Sequence, residues 1–438
     1  MISTLAAVAT SVATALALAS SAASTQSATA STATVFSASE CPESVRSIAT
    51  CHSTRDSHGA WVWVAVPKQW NKMLIVHAHG GPSLNVPEVE EAIEDMQRFD
   101  VFVRQGYAWV SSTYRRGGYG VRMAAADVDH SRELFLQSFG KPSRTVLHGQ
   151  SYGGNVAAKV AELYALDAEG APNYHGVMLT SGVLAGGTRA YGFRADLRAV
   201  YQYYCRNLPA SGEPTYPMWQ GLPADSKLTR PEIQRRVEAC TGVALAPAKR
   251  SSEQKRRLRN ILSVTGIAEK QLVSHMSWST LTFRDLVHER LDGLNPFDNS
   301  NKTYTGSDDD AALNAGVERF TADPRAVAKL AYDADLSGLI VLPTVTMHAL
   351  HDPTIPFAFE ADYARVVSAA GRSNLLVQTA TDEHGHSKLA ETQYMALLTS
   401  LNEWIDAGHR PTPDDIAANC RRLESTVPGG CRFVPSPR

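Results

Sequence analysis

Apolar and polar residues alternate along the chain in a regular way from residue 60 onward. The segment AWVWVAV, 60–66, alternates residue by residue and predicts an edge or antiparallel strand. Four further apolar runs, several of them followed by glycines, predict buried strands within 72–82, 107–120, 144–148 and 175–182. Helical periodicity lies between them, over 87–106, about 127–139 and 155–166.

The alternation stops after Gly187 and resumes about 150 residues later. The intervening residues lack strand patterns and predict helices, and a stretch of that size exceeds an ordinary loop. Strands are again predicted within 339–349 and 374–380, with helices from about 357 and over 388–406. Strands that alternate with helices predict a parallel sheet covered by helices on both faces, here interrupted by a helical insertion.

These patterns predict five segments. They are a leader over 1–34, the first part of an α/β core over 35–187, a helical insertion over 188–335, the second part of the core over 336–410 and a C-terminal extension over 411–438.

The N-terminus resembles a secretory signal. Leu5 to Ala19 are apolar and alanine-rich, and small residues that suit cleavage follow. No basic residue precedes this run, and the first charged residue is Glu40. The apolar stretch is too short and too rich in Ser and Thr for a membrane span, so we expect a secreted protein, extracellular or periplasmic.

The six cysteines agree with export. Six cysteines allow 15 pairings, but they fall into three local pairs in the sequence. We therefore expect three disulfides; buried free thiols in a cytosolic protein are the alternative. The expected pairs are Cys41–Cys51, Cys205–Cys240 and Cys420–Cys431, the last within the C-terminal extension.

Bulk charge excludes some partners. The 42 basic and 44 acidic residues give a formal net charge of −2, which provides no general attraction to nucleic acid or to anionic membranes. The sequence does not predict the oligomeric state.

The motif Gly149-Gln150-Ser151-Tyr152-Gly153 matches G-x-S-x-G. A predicted strand precedes it and a helix follows it, which is the context of a nucleophile elbow, where a serine occupies a strained turn. Glycines on both sides remove Cβ atoms that would collide with neighbouring backbone. An ordinary glycine-rich turn is the alternative.

A serine nucleophile requires a base and an acid that orients the base. In an elbow fold these follow the serine along the chain, the acid first and the histidine second. Asp352 follows a late strand and lies at its carboxyl end. Asp333 and Asp335 precede that strand, at the opposite edge of the sheet, and Asp382 is a weaker alternative.

The candidate base lies in the loop after the next strand, which contains His384 and His386. We favour His386 because it follows Gly385 and comes shortly before the last helix of the core, and we keep His384 as the alternative. Both loops follow parallel strands, so they open at the same edge of the sheet as Ser151.

A tetrahedral intermediate needs N–H donors for its oxyanion. The residue after the nucleophile, Tyr152, is one expected donor. The second is expected from His79-Gly80-Gly81-Pro82, after an early strand. Pro82 has no N–H, which leaves Gly81, with Gly80 second; a plain turn between strand and helix is the alternative.

Two His-x-His pairs, His77 with His79 and His384 with His386, raise the possibility of a metal hydrolase. Alternate residues on a strand point to opposite faces, so His77 and His79 would share an ion only on irregular backbone. No acidic cluster accompanies them. We therefore expect neither a metal nor a cofactor.

Together these motifs resemble the α/β-hydrolase superfamily over roughly residues 58–410. The resemblance rests on the HGGP loop, the GQSYGG elbow, Asp352 and His386, in the order of the family. It implies an α/β-hydrolase fold with the insertion between strands six and seven, forming a lid over Ser151. HGGP is also similar to prolyl aminopeptidases, and YRRGGYG with SYGG to prolyl oligopeptidase domains, but the chain lacks HGGPG and an N-terminal propeller.

The resemblance implies a serine hydrolase, and we expect it to act on a small-molecule or polymeric carboxylic ester. An aminopeptidase is the alternative, and it predicts an acidic residue in the insertion that binds a substrate ammonium group. The candidates for that residue are Asp285, Glu289 and Asp292. A binding module with an inactive site is the remaining possibility.

Overall fold

A computed structural model describes residues 36–435. Within this range ten strands form one sheet, in the order β1-β2-β3-β5-β4-β6-β7-β8-β9-β10. Strands β5, β4, β6, β7, β8 and β9 pair in parallel, and the other pairings are antiparallel. The strands are β1 Ser37–Ser39, β2 Ala49–Arg55, β3 Trp61–Pro67, β4 Met73–Ala78, β5 Ala108–Ser112, β6 Arg144–Gln150, β7 Gly176–Thr180, β8 Thr344–Ala349, β9 Leu376–Thr381 and β10 Phe433–Val434.

Helices connect the parallel strands and fill the segment between β7 and β8. The α-helices are α1 Val89–Arg98, α2 Val101–Arg104, α3 Val121–Phe139, α4 Tyr152–Leu163, α5 Gly186–Ala190, α6 Gly192–Cys205, α7 Arg230–Thr241, α8 Ser252–Thr265, α9 Leu272–Ser277, α10 Phe283–Asp285, α11 Asp310–Gly316, α12 Pro324–Ala334, α13 Ala358–Ala369, α14 Glu391–Ala407 and α15 Pro413–Leu423. Short 3₁₀ turns are Met218–Gln220, Pro247–Lys249, Glu269–Gln271 and Ser373–Leu375, and π-helical turns are Trp278–Thr282 and Leu286–Arg290.

The central strands are buried on both faces, which explains their continuous apolar runs. In β4, Leu74 and Val76 belong to one hydrophobic cluster, and Ile75 between them belongs to the cluster on the other face. All three are fully buried. Each face of the sheet therefore has its own packed layer of helices.

The strand order and the helices on both faces are those of the α/β-hydrolase fold, and the predicted fold class is confirmed. Strands β1 and β2 both precede the first strand that the sequence predicts, and the helical segment lies between the seventh and eighth strands in the present numbering, where the resemblance implied strands six and seven. It contains helices α5 to α12, and no strand is found among these described residues.

Three features differ from the sequence-based prediction. The helix predicted over 87–106 is two helices, α1 and α2, separated by a turn at 99–100 that buries Phe99 and Phe102 in the core. Strand β2 was not predicted, because its residues ATCHSTR are small and polar. The C-terminal extension contributes α15 and an edge strand, β10, antiparallel to β9.

The three predicted disulfides are confirmed: Cys41–Cys51, Cys205–Cys240 and Cys420–Cys431. The first lies beside the N-terminal edge of the sheet, and the second ties α6 to α7. The expected signal segment, 1–34, lies outside the described residues. Within the described residues, none of the helices has the length and apolar character that crossing a membrane requires.

Candidate active site

Ser151 lies between β6 and α4 in a strained backbone conformation, with φ +60° and ψ −124°. The flanking glycines are required by close packing. A Cβ on Gly149 would lie 2.2 Å from the carbonyl oxygen of Gly153. A Cβ on Gly153 would lie 2.1 Å from the carbonyl oxygen of Ala78. Only glycine fits at either position, so the elbow is built into the packing of β6, α4 and β4.

Ser151, His386 and Asp352 form a continuous chain of hydrogen bonds. His386 Nε2 lies 2.8 Å from Ser151 Oγ, and His386 Nδ1 lies 2.7 Å from Asp352 Oδ2. Asp352 Oδ1 accepts the N–H groups of Thr354 and Ile355 at 2.8 and 3.0 Å. Burial by itself would raise the pKa of Asp352, but the hydrogen bond and charge of His386 outweigh it and hold the pKa below its usual value.

The alternative histidine and one alternative acid lie outside this chain. His384 is exposed and stacks on His351, with ring centroids 4.3 Å apart. Asp382 lies 3.4 Å from His351 and is also exposed.

Asp333 and Asp335 accept backbone N–H groups at the starts of α3 and α5. These helices follow the carboxyl ends of β5 and β7, so the prediction that both aspartates lie at the opposite edge of the sheet is wrong. Within the described residues neither carboxylate hydrogen-bonds to His386.

The two expected oxyanion donors line the same pocket as Ser151. Tyr152 begins α4, and N–H groups in the first turn of a helix have no partner within the helix. Gly81 has φ +80°, a conformation that favours glycine. Tyr114 Oη donates a hydrogen bond of 2.7 Å to the carbonyl oxygen of His79 and thereby fixes the loop that contains Gly81.

His77 and His79 interact with one carboxylate. Asp95 Oδ2 lies 2.5 Å from His79 Nδ1 and 3.4 Å from His77 Nε2. Burial would lower the pKa of His79, but the charge of Asp95 outweighs it and raises that pKa. His77 also contacts His148, with 3.0 Å between their Nδ1 atoms. Asp95 was not identified from the sequence, because the helical periodicity around it predicts a surface position.

Among the described residues, two other groups have ligand atoms close enough to share a metal ion. They are Asp56 with His58 and His130, and His351 with Asp382 and His384. Neither group includes Ser151, His386 or the pair His77 and His79.

Arg98 hydrogen-bonds to the loop that contains His386 and to the residue before Ser151. Its guanidinium donates hydrogen bonds to Gln150 Oε1 at 3.3 Å and to the Ser387 carbonyl oxygen at 3.0 Å. Gln150 in turn hydrogen-bonds the Ser387 side chain. Arg98 therefore joins the residue before Ser151 to the residue after His386. A lone arginine at the end of a helix gives no sequence signal of such a role.

The helical segment between β7 and β8 forms the second wall of the pocket. The cavity measures about 720 Å³. Tyr191 and Trp278 stack face to face on this wall, with centroids 4.5 Å apart. Trp278 opens a π-helical turn, and such turns are frequent at functional sites. The pocket residues from this segment are Tyr191, Arg194, Arg230, Ser274, His275, Trp278, Leu281 and Thr282.

Arg194 and His275 connect the two walls. Arg194 Nε donates to His275 Nδ1 at 3.1 Å, and His275 Nε2 donates to the Pro353 carbonyl oxygen at 3.1 Å. Arg194 Nη2 donates to the Thr354 carbonyl oxygen at 3.4 Å. Burial, followed by the charge of Arg194, lowers the pKa of His275 to about 4, so the ring is neutral at pH 7. Both residues therefore contact the loop that carries Asp352.

The acidic residues that an aminopeptidase would need do not line the pocket. Asp285 accepts the backbone N–H of Tyr119, at 2.7 Å. Glu289 is exposed, and Asp292 pairs with Lys329 at the surface. Among the described residues no aspartate or glutamate lines the cavity, whereas two arginines do.

The arrangement provides the parts that acyl transfer requires. A hydroxyl lies within hydrogen-bond reach of an imidazole, the imidazole is held by a carboxylate, and the candidate oxyanion donors Tyr152 and Gly81 line the same pocket. The pocket could hold a molecule of moderate size, bounded by core loops on one side and aromatic residues on the other.

The chain matches no protein-family model and no curated protein. It is similar in structure to the rice cell wall degrading esterase LipA from Xanthomonas oryzae, at 14% identity and TM-score 0.40 over 82% of this chain and 90% of that chain. It is similar to Candida antarctica lipase A at 13% identity and TM-score 0.43, over 90% and 91%. For feruloyl esterase B from Aspergillus oryzae the values are 12% and 0.45, over 83% and 82%.

Proposed function

We propose that this protein is a serine hydrolase that cleaves carboxylic esters through an acyl-enzyme intermediate. The observation that carries the proposal is the hydrogen-bond chain from Ser151 through His386 to Asp352, which begins at a strained elbow. A serine at φ +60° costs free energy relative to an ordinary backbone conformation, and such strained residues cluster at active sites. The strained conformation of Ser151 therefore supports its role as the nucleophile.

In this mechanism Ser151 Oγ attacks the ester carbonyl carbon while His386 Nε2 takes the hydroxyl proton. The tetrahedral intermediate collapses, the C–O bond to the alcohol breaks, and His386 returns the proton to the departing oxygen. A water molecule then attacks the acyl-enzyme by the same route and releases the acid. Asp352 holds His386 in the tautomer that has its proton on Nδ1, and stabilises the imidazolium.

The developing oxyanion is bound by the N–H groups of Tyr152 and Gly81. Such donors are effective because they are fixed before the reaction and act in a site from which water is largely excluded. Loss of one donor typically lowers turnover about 100- to 1000-fold. The Asp95–His79–Tyr114 contacts support this role, since they fix the loop from both sides.

An ester is favoured over a peptide with a free amino terminus because of the charges in the pocket. An aminopeptidase needs a carboxylate to bind the substrate ammonium group, and the pocket residues carry arginines in place of carboxylates. The residues 188–335 act as the lid, since they supply the wall opposite Ser151. Secretion is part of the proposal and is supported by the three disulfides.

The test is a matched panel of p-nitrophenyl esters and aminoacyl p-nitroanilides, with labelling by a fluorophosphonate probe. We expect higher kcat/KM on the esters, covalent labelling of the wild type, and loss of both in Ser151→Ala. Turnover should fall by a factor of about 10⁴ to 10⁶. Ser274→Ala is the matched control, since Ser274 is an exposed serine that lines the same pocket and lies outside the hydrogen-bond chain.

Two results would contradict the proposal. An unlabelled wild-type protein, folded by circular dichroism, would exclude a serine nucleophile. Higher kcat/KM on the anilides than on the esters would show that the protein is a peptidase that uses the same site.

A further inference from the structure

One buried charged group in the pocket, Arg194, has no counter-charge among the described residues. Arg194 is 3% exposed, and no carboxylate of the described residues forms an ion pair with it. Its neighbours are aromatic, with the guanidinium carbon 4.4 Å from the Trp278 ring centroid and 4.7 Å from that of Phe193. Burial lowers the pKa of Arg194 to about 10, which still leaves it positively charged at pH 7. A buried charge of this kind is costly unless a ligand compensates it.

The geometry leaves one edge of this guanidinium free for a ligand. Nε is used by His275 and Nη2 by the Thr354 carbonyl oxygen. Nη1 makes no hydrogen bond within the described residues and is not enclosed by protein, and Arg194 lines the cavity beside Ser151. The bonds on the other two nitrogens fix the direction of this free edge, so a bound group would meet a preorganised donor.

Arg198, one turn later on α6, shows what a purely structural arginine does in this fold. It is fully buried, and its Nη2 donates to the carbonyl oxygens of Leu208 and Gly221. Burial is again the main influence on its pKa and lowers it, opposed first by Tyr216 and Tyr201 and only then by Glu318, and the guanidinium forms no ion pair within the described residues. Arg198 does not line the cavity. The same residue type on the same helix therefore serves two different purposes.

The other charged groups of the cavity have the same sign or are already paired. Arg230, exposed at the start of α7, lines the mouth of the pocket and forms no ion pair within residues 36–435. His386 is held by Asp352, and His79 by Asp95. The pocket thus presents an uncompensated positive charge opposite the reacting serine.

We infer that Arg194 binds a free carboxylate on the substrate, so that the enzyme prefers esters that carry one negative charge. The inference rests on the proposed function and specifies its substrate class. A monoanion is favoured over a phosphate dianion because a single buried charge lacks its partner. The carboxylate belongs either to the acyl part, as in a half-ester of a dicarboxylic acid, or to the alcohol part, as in an ester of a hydroxy acid.

The experiment compares kcat/KM for charged and neutral members of two ester pairs. The acyl pair is p-nitrophenyl hydrogen glutarate and its methyl ester, and the alcohol pair is 4-acetoxybenzoate and its methyl ester. We expect the wild type to prefer the charged member of one pair, which identifies the side that carries the carboxylate. Arg194→Met should reduce that preference about 10- to 100-fold, the usual effect of losing a hydrogen bond to a charged group.

Two variants separate recognition from folding. Arg194→Lys keeps the charge and should retain part of the preference. Arg198→Met removes a buried arginine from the same helix and should lower stability with the preference unchanged. As a readout that needs no variant, pentanoate, which carries one negative charge, should slow fluorophosphonate labelling of the wild type more than pentan-1-ol does.

The inference is overturned if the wild type shows no charge preference in either pair, or if Arg194→Met lowers both members of a pair equally. Equal protection by pentanoate and pentan-1-ol would contradict it as well. In each of these cases the protein still hydrolyses esters or reacts with the fluorophosphonate. Loss of hydrolysis and labelling in the wild type would instead show that the proposed function itself is wrong.

Discussion

The pocket has two walls that differ in how their charges are satisfied. On the core wall each functional charge has a partner inside the protein, as His386 has Asp352 and His79 has Asp95. On the wall from the helical segment, Arg194 is buried against aromatic rings without a carboxylate. The charged groups of the core wall have their counter-charges before a substrate binds. Arg194 on the helical wall gains a counter-charge only when an anion binds.

The two walls therefore have different roles: the core wall carries out the acyl transfer, and the helical wall discriminates between substrates. Preorganised pairs on the core wall hold the groups that move protons, and these requirements are the same for any acyl substrate. An unpaired charge on the helical wall discriminates between substrates, since it favours one charge type and disfavours the other. Variants in the two walls should therefore have different signatures.

The largest effect is expected at the buried acid of the core wall. Asp352→Asn keeps the size of the side chain but allows the wrong tautomer of His386, so kcat should fall by about 10⁴-fold with a small change in KM. Steady-state kinetics on a p-nitrophenyl ester measure this. Asp382→Asn is the control, because Asp382 is exposed on the same side of the sheet and lies outside the hydrogen-bond chain. Equal losses in the two variants would refute the assignment of the acid.

The second prediction compares the change in the free energy of unfolding when a glycine of each wall is replaced by alanine. Gly153→Ala places a Cβ 2.1 Å from the Ala78 carbonyl oxygen and should lower the free energy of unfolding by about 3 kcal/mol or more. Gly192→Ala, at the start of α6, meets no atom within 4 Å and should be neutral or stabilising by about 0.5–1 kcal/mol. Urea denaturation measures both. If Gly153→Ala were as stable as the wild type, the tight elbow packing would be wrong.

The smallest expected effect is a pH dependence from the helical wall. The pKa of His275 is about 4 in the folded protein and 6.5 as its ordinary value, so between these values the unfolded chain binds the extra proton. Stability therefore rises with pH from 4 to 6.5 and is lost as the pH falls through this range, by at most about 3 kcal/mol.

His275→Gln retains a hydrogen-bond acceptor and donor without the titration, and should flatten this part of the stability profile in urea unfolding at several pH values. His384→Gln, which changes an exposed loop histidine, should leave the slope as it is. If the slope were unchanged in His275→Gln, the buried neutral histidine between Arg194 and Pro353 would not be the cause.

The sequence allowed much of the core wall to be predicted because its signals are local. Ser151 lies in a five-residue motif between a strand and a helix, and Asp352 and His386 each follow a predicted strand. The carboxyl ends of parallel strands meet at one edge, so strand order alone brings these residues near one another. The distances of 2.7 and 2.8 Å agree with that expectation.

Arg194, His275 and Asp95 could not be predicted, because their positions depend on contacts across the fold. Arg194 and His275 are 81 residues apart in the chain, and both contact the loop after Asp352 only because the helical segment folds back over the sheet. Asp95 lies in an amphipathic helix rich in acidic residues, where nothing distinguishes it from Glu91 or Glu94.

The sequence by itself determined the α/β core, the disulfide pairs and the candidate groups for the reaction, since periodicity, cysteine spacing and motif order are properties of short segments. Only the tertiary structure decided which charges are paired and which remain unpaired. Pairing depends on distances of a few ångströms between residues far apart in the chain, and on burial that removes water. The unpaired charge of Arg194 was therefore visible only once the helical wall was in place.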